Sequence, residues 1–371
     1  LSPIEDTDAL RIGTNWHRLQ EIYGMKPGSV CPECAKRHVT LACPLCEGTD
    51  IMPNDMMDAV IRHLNQAYAE RPMSKTPEEW ETERIILLYS LVGYNWYYSD
   101  LLADDEIVAQ EIAFRIPLTS PISNRALPHV VIDGRIDKIL KRGNKRLISD
   151  FKSTGSSLDS DSTYWSHLNL DTQTTLYPFA IKSDYPDIGV LLDVWHKPAI
   201  RPKNLTQADT KKFIETGEYF GEKFEIEMGC DLPQHTIKVN GAIAEIKLGA
   251  EPKPTKKNPD PVQAFAIKET PEMYGARLLQ DICDRPEYYF VQKPVARTDG
   301  DYKRFHIQLF NIYQTIRLMY KNSGWYGDES QCEAKFKCPY IPFCYNNITL
   351  KEGEIPDGFK RTYKIEDKIA F

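Results

Sequence analysis

The residues best equipped for chemistry lie in one stretch, HVVIDGRIDKILKRGNKRLISDFKST at positions 129–154. Two runs rich in Val, Ile and Leu flank Gly143-Asn144, a pair suited to a two-residue hairpin turn. With Arg142 and Lys145 flanking that turn, facing positions sum to 287, which sets Asp137 opposite Asp150. Lys152 lies two residues further on and projects from the same face as Asp150. Two carboxylates opposed at about 5 Å on a sheet repel each other. A divalent cation between them reverses that sign, and hard oxygen donors suit Mg²⁺ or Mn²⁺. Such a cation activates water and stabilises charge on a phosphoryl oxygen. Lys152 is then placed to orient the water and offset negative charge. The plainer alternative is an ordinary charged surface hairpin, because Asp-x-Lys is common by chance.

Nine cysteines fall into two clusters and two singletons. Cys31-Pro-Glu-Cys34 and Cys43-Pro-Leu-Cys46 form CxxC-x8-CxxC. Two such knuckles bring four thiolates to one tetrahedral ion, the arrangement of a zinc ribbon. Structural Zn²⁺ is the expectation, a rubredoxin-like iron site the alternative. The second cluster is Cys332-x5-Cys338-x5-Cys344, near the end of the chain. Cys230 and Cys283 stand apart and are expected to be buried small hydrophobes. Clustered thiols without a secretory signal point to a reducing cytoplasm, that of a bacterium or a phage-infected host.

Gly134-Arg135-Ile136-Asp137 followed by Ile148-Ser149-Asp150-Phe151-Lys152 resembles the metal-binding core of the PD-(D/E)XK nuclease superfamily, in particular its RecB-like branch. Gly13-Thr14-Asn15-Trp16-His17 is similar to that branch's GxxxH helix, and Gln173 with Tyr177 to its QxxxY helix. The resemblance implies Mg²⁺ or Mn²⁺ held by His17, Asp137, Asp150 and the Phe151 carbonyl, with Lys152 catalytic. Gln173 and Tyr177 would position the lysine or the DNA, and Glu111 would be an extra acid. Val194-Trp195-His196-Lys197-Pro198, the segment from Arg277 to Tyr289 and the cysteine tail resemble phage and prophage members. The likeness thus covers nearly the whole chain except the module at 31–46. Many members of the branch close their fold with a [4Fe–4S] cluster on three C-terminal cysteines and one far upstream. Cys332, Cys338 and Cys344 resemble that triplet, although the first gap is longer than usual and the sequence offers no upstream partner. Because the chain opens at Leu1 and not at Met, we expect some natural N-terminal sequence to precede it.

These side chains need elements to position them. Residues 8–24 carry Leu10, Ile12, Trp16, Leu19 and Ile22 near helical spacing. After the cysteine module, one helix is expected to start near Pro53 and another at a capping box, Thr76 through Glu79. Strands are expected at 107–117, 129–141 and 146–153, then a helix at 166–183 and a strand near 188–197. Residues 200–265 are polar and unpatterned, with a proline-lysine loop from Glu251 to Pro261. Helices at 270–284 and 301–322 flank a strand near 287–296. The fold class is α+β: a restriction-endonuclease-like mixed sheet flanked by helices, with an inserted zinc-ribbon module. The expected divisions are 1–30 for the GxxxH helix and 31–50 for the zinc-ribbon-like insertion. Residues 51–200 hold a helical segment and the nuclease core, 201–300 an insertion with accessory elements, and 301–371 the last helix and cysteine tail.

The net charge of -7 argues against broad wrapping around DNA. It still permits positive charge confined to one groove, and the basic stretches Lys138–Arg146 and Lys253–Lys257 are expected to be solvated surface. No apolar run is long enough to span a membrane. The leading reading is a metal-dependent DNA nuclease, an exonuclease or DNA-end-processing enzyme, in phage or bacterial recombination, replication or DNA degradation. Two others stand beside it: a catalytically silent nucleic-acid-binding scaffold that uses the zinc ribbon, and a nuclease subunit active only with a helicase or recombination partner.

Overall fold

Strands β1 (Asp105–Thr119), β2 (Ala126–Arg142) and β3 (Lys145–Thr154) form an antiparallel meander in the computed structural model. The structure describes residues 2–3, 7–37, 43–229, 236–251, 263–324, 327–334, 337–351 and 353–362. Gly143 takes a left-handed φ of +58° in the β2–β3 turn, where a residue without Cβ is least strained. The ladder runs from Arg142–Lys145 to Lys138–Ser149, in the register expected from the turn. It stops there, one step short of Asp137 and Asp150.

β3 pairs in parallel with β4 (Gly189–His196), and a parallel neighbour demands a crossover. That crossover contains a helical turn at Thr163–Ser166, a 3₁₀ turn at His167–Leu170 and helix α4 (Gln173–Ile181). The single helix expected over 166–183 is therefore broken at Asp171-Thr172. The physical reason is a cap: Asp171 Oδ1 accepts from the Thr174 N–H at 2.7 Å, restarting the helix. β5 (Phe290–Val295) runs antiparallel to β4 and completes the sheet order β5-β4-β3-β2-β1. Residues 287–289, the start of the expected strand, belong instead to a helical turn, Pro286–Tyr289, with proline in its first position.

Helices cover both faces. On one lie α1 (Asp8–Tyr23), α2 (Met56–Ala67), α3 (Pro77–Tyr97) and α5 (Pro271–Asp284), sharing a core with Phe151, Trp195 and Phe290 of the sheet. Trp16 of α1 stacks on Trp195 with ring centroids 4.3 Å apart. Tyr177, Ala180 and Ile181 of α4 pack with Phe114, Ile136, Ile139 and Ile148 in a separate core. The capping box at Thr76 and Glu79 forms as expected. α2 starts at Met56, later than expected, because Asp55 caps it by accepting from the Met57 N–H at 2.8 Å.

The unpatterned stretch after residue 200 contains a helix at Gln207–Thr216 and short strand pairs around a core of Leu205, Phe213, Ile237, Val239, Ile267 and Met273. Cys230 and all but the first residue of the expected Glu251–Pro261 loop lie outside the described residues, as do Lys253–Lys257. Cys283 is half-buried, more exposed than expected, because it sits in the last turn of α5. A 23-residue helix α6 (Asp299–Lys321) follows β5. Among the described residues, no helix is long and apolar enough to cross a membrane.

Candidate active site

The point where the β2–β3 ladder stops is where the acidic groups gather. Asp137 turns its carboxylate into the gap, and Oδ2 accepts from the Phe151 N–H at 3.1 Å. The backbone donor that would continue the ladder thus meets a side chain instead. From above the sheet α1 brings His17, whose Nδ1 lies 3.2 Å from the same oxygen. Gly13, one turn earlier, faces β3 closely: a Cβ there would stand 3.4 Å from Ser153 Oγ, in ordinary contact.

Asp150 is fully buried. Lys152 Nζ lies 2.8 Å from its Oδ2, yet neither carboxylate oxygen accepts a well-aligned hydrogen bond. Lys152 also donates to Gln173 Oε1 at 2.6 Å, and Gln173 Nε2 donates to the Tyr177 hydroxyl. An ammonium has only donors, so it selects the oxygen end of the Gln173 amide. The residues that sequence spacing put on one helical face therefore form a relay ending on Lys152.

The charges divide sharply. Burial pushes the Asp150 carboxyl up to about 6, with the neighbouring Asp137 charge adding to it and Lys152 pulling against it. Burial also acts to raise Asp137, but His17, the Phe151 N–H and the Lys152 charge outweigh it and hold that carboxyl below its ordinary range. Tyr177 is pushed up to about 12, chiefly by burial, and stays a neutral hydroxyl. Glu111 reaches the site from β1 with a left-handed φ of +50°. Its carboxyl is raised by partial burial and the nearby Glu21 and Asp137 charges, although Arg135 pairs with it at 3.1 Å.

A cleft of about 490 Å³ opens beside these groups, lined by Gly13, Thr14, His17, Arg18, Glu21 and Glu111 among others, with Asp137 at its wall. Two neighbouring carboxylates, one of them buried with no well-aligned hydrogen bond and the other against an imidazole nitrogen, are what a hard divalent cation satisfies. The donor set therefore fits Mg²⁺ or Mn²⁺. Arg18 and Glu21 of this cleft are not singled out by the sequence reading, although their i,i+3 spacing announces the 2.5 Å ion pair they make. Lys138 corrects an expectation. It is not solvated surface but buried, its ammonium 4.7 Å from the centre of the Phe151 ring.

The first cysteine cluster assembles locally. The ligand atoms of Cys31, Cys34, Cys43 and Cys46 lie within 4.8 Å of one another, and all four residues are buried. Cys31 and Cys43 Sγ are 3.7 Å apart, Cys34 and Cys46 Sγ 3.4 Å. Burial raises the Cys31 and Cys34 thiols. It works the same way on Cys46, but hydrogen bonds from Cys34 and the Gly48 backbone hold that thiol down to about 7. Four crowded sulfurs of this kind fit a soft tetrahedral cation such as Zn²⁺. Arg18, the residue after His17, bonds Glu33 between the first two cysteines at 2.8 Å. Arg62 of α2 donates to the Pro44 and Leu45 carbonyls, both at 3.0 Å. Cys332, Cys338 and Cys344 lie in the tail, with the Cys338 N–H donating to the Cys332 carbonyl at 2.8 Å. Among the described residues they do not approach one another as closely as the first four.

A family model described as the PD-(D/E)XK nuclease superfamily matches residues 3–236, which include both the acidic groups and the first cysteine cluster. No curated protein matches the chain.

Proposed function

The chain belongs to the PD-(D/E)XK nuclease superfamily, and from that premise we propose that it is a RecB-like deoxyribonuclease dependent on Mg²⁺ or Mn²⁺. Membership makes it a metal-dependent nuclease that hydrolyses phosphodiester bonds. The finer reading is an exonuclease or DNA-end-processing enzyme of phage or bacterial DNA recombination, replication or degradation. The observation that supports metal-dependent cleavage is Asp150: a fully buried carboxylate with no well-aligned donor, 2.8 Å from Lys152 and in the field of Asp137.

In this reading His17, Asp137, Asp150 and the Phe151 carbonyl hold the divalent cation. When bound, that cation supplies positive charge to the phosphoryl oxygens and makes water a better nucleophile. Lys152 carries the remaining work of this chain's own residues. Its ammonium orients the attacking water and offsets charge that develops on the phosphate. Gln173 and Tyr177 restrict where that ammonium can point. His17 and the Phe151 N–H keep Asp137 ionised and aimed.

Cys31, Cys34, Cys43 and Cys46 hold structural Zn²⁺ in the same reading, and tie it to α1 through the Arg18–Glu33 pair. The three tail cysteines lack a fourth thiolate beside them among the described residues, so they do not by themselves fit a [4Fe–4S] cluster. No step passes through one.

The test is cleavage of end-labelled single-stranded, linear duplex and circular DNA with Mg²⁺ or Mn²⁺, wild type beside Asp150→Ala. Metal-dependent cutting of linear but not circular DNA, lost in the variant, is expected. DNA binding without cutting by the wild type would move the function to the cysteine module or to a partner-dependent subunit.

A further inference from the structure

Arg297 lies beyond the residues matched by the family model, in the turn between β5 and α6. Its guanidinium donates to Thr175 Oγ1 at 2.8 Å, to Thr174 Oγ1 at 2.7 Å and to the Leu168 carbonyl at 2.6 Å. The two threonines follow Gln173 in the first turn of α4, and Leu168 belongs to the 3₁₀ turn before it. Gln173 is the residue whose Oε1 holds Lys152 Nζ.

α4 has only local means of fixing that turn. It has nine residues, short for a helix that must hold its own geometry. Pro178 has no N–H to give the Thr174 carbonyl, so the first turn lacks a rung of its ladder. Thr172 at the N-cap makes no capping bond through its side chain. The Asp171 carboxylate and carbonyl, which accept from the Thr174 N–H and from both threonine hydroxyls, tie the turn only to the residue just before the N-cap. Arg297 supplies from a different element what the helix lacks: a planar fork of donors that binds two side chains and the preceding backbone at once.

We infer that Arg297 is a positioning residue for the nuclease reaction, fixing the first turn of α4 and thereby, through Gln173, the Lys152 ammonium. The inference rests on the proposed catalytic role of Lys152. A cleft of about 400 Å³ adjoins this guanidinium, lined also by Leu170, Thr172, Arg304 and Phe305, so direct contact with DNA phosphate is the rival assignment. The geometry favours the strut: Nε and Nη2 are already spent on protein oxygens.

The experiment compares Arg297→Met, Arg297→Lys, Gln173→Ala and the Arg297→Met/Gln173→Ala double variant. In Arg297→Met, kcat is expected to fall about 10- to 100-fold, the usual scale for an outer-shell contact, while KM for DNA and Mn²⁺ affinity stay within about twofold. Arg297→Lys recovers part of the loss. In the Gln173→Ala background Arg297→Met adds less than about twofold, because both changes act on the same ammonium. Independent, additive losses would overturn the inference, as would a raised KM with intact kcat. Hydrogen exchange of the peptide spanning 168–177 reads the claim without activity: faster exchange in Arg297→Met supports it, unchanged exchange sinks it. A wild type that cuts no DNA while the variant shows faster exchange would discard the nuclease reading and keep the strut.

Discussion

Cys31, Cys34, Cys43 and Cys46 meet within two adjacent knuckles, whereas Asp137 and Asp150 of one hairpin are joined by His17 from a helix more than a hundred positions upstream. The sulfur cluster is embedded in the main core with Leu19, Ile22 and Leu45, and a cation there would be surrounded by ligands. The oxygen cluster opens on a cleft and leaves carboxylate oxygens in need of a donor. A buried carboxylate whose one cation, Lys152, gives it no well-aligned hydrogen bond opposes folding. On the proposed function, the difference is between a site that holds the chain together and one that holds charge where substrate arrives.

The sharpest way to break this contrast is Asp150→Asn, which keeps shape and removes charge. Cleavage is expected to drop by about 1000-fold or more, while the melting temperature of the metal-free protein stays level or rises. A fall in melting temperature as large as that of a cysteine variant would erase the distinction. Cys34→Ser is the converse. Bound zinc should be lost and the melting temperature should fall by about 10 °C, read by metal analysis and calorimetry. Full stability without zinc would show that packing alone holds the knuckles.

A pH series sharpens the contrast further. The Asp150 carboxyl is raised to about 6 from an ordinary 3.8, so the metal-free fold holds that proton more tightly than the unfolded chain does. Its stabilising contribution is present at low pH and is lost as pH rises through about 6. A divalent cation favours the ionised form, so the Mn²⁺-induced rise in melting temperature should grow between about pH 5 and 7.5. Asp137, held below its ordinary range, titrates under this window. In Asp150→Asn the Mn²⁺ effect should be small and flat; an unchanged pH slope would reassign the titration. The smallest effect is expected for Glu111→Gln. Arg135 already pairs with that carboxylate, and activity should change by less than about fivefold, or ~1 kcal/mol. A larger loss would promote Glu111 to a metal ligand.

How much of this was legible depends on distance along the chain. The cysteine spacing is local, and so is the Gly143-Asn144 turn that set the β2–β3 register. Asp150, Lys152, Gln173 and Tyr177 could be paired from periods of two and four. What no local pattern encodes is the early end of the ladder, which frees the Phe151 N–H for Asp137. Nor does it encode the burial of Lys138, since a lysine in a polar-looking run gives no hint of the aromatic ring beneath it. Arg297 was invisible for the same reason: its partners sit over a hundred positions upstream.

The separation of ligands also sets an order of events. The knuckles can close as soon as Cys46 is made, whereas the His17–Asp137 contact closes a loop roughly ten times longer, at an added entropic cost of about 2 kcal/mol. A chain emerging from the ribosome would therefore acquire its sulfur-bound ion well before Asp150 and Lys152 exist. Synthesis stalled before residue 129 should yield a product that retains zinc but shows no Mn²⁺ affinity, and Mn²⁺ binding by that product would refute the sequence of events. The nascent enzyme would thus pass through an early interval in which it is already anchored but still harmless to nucleic acid.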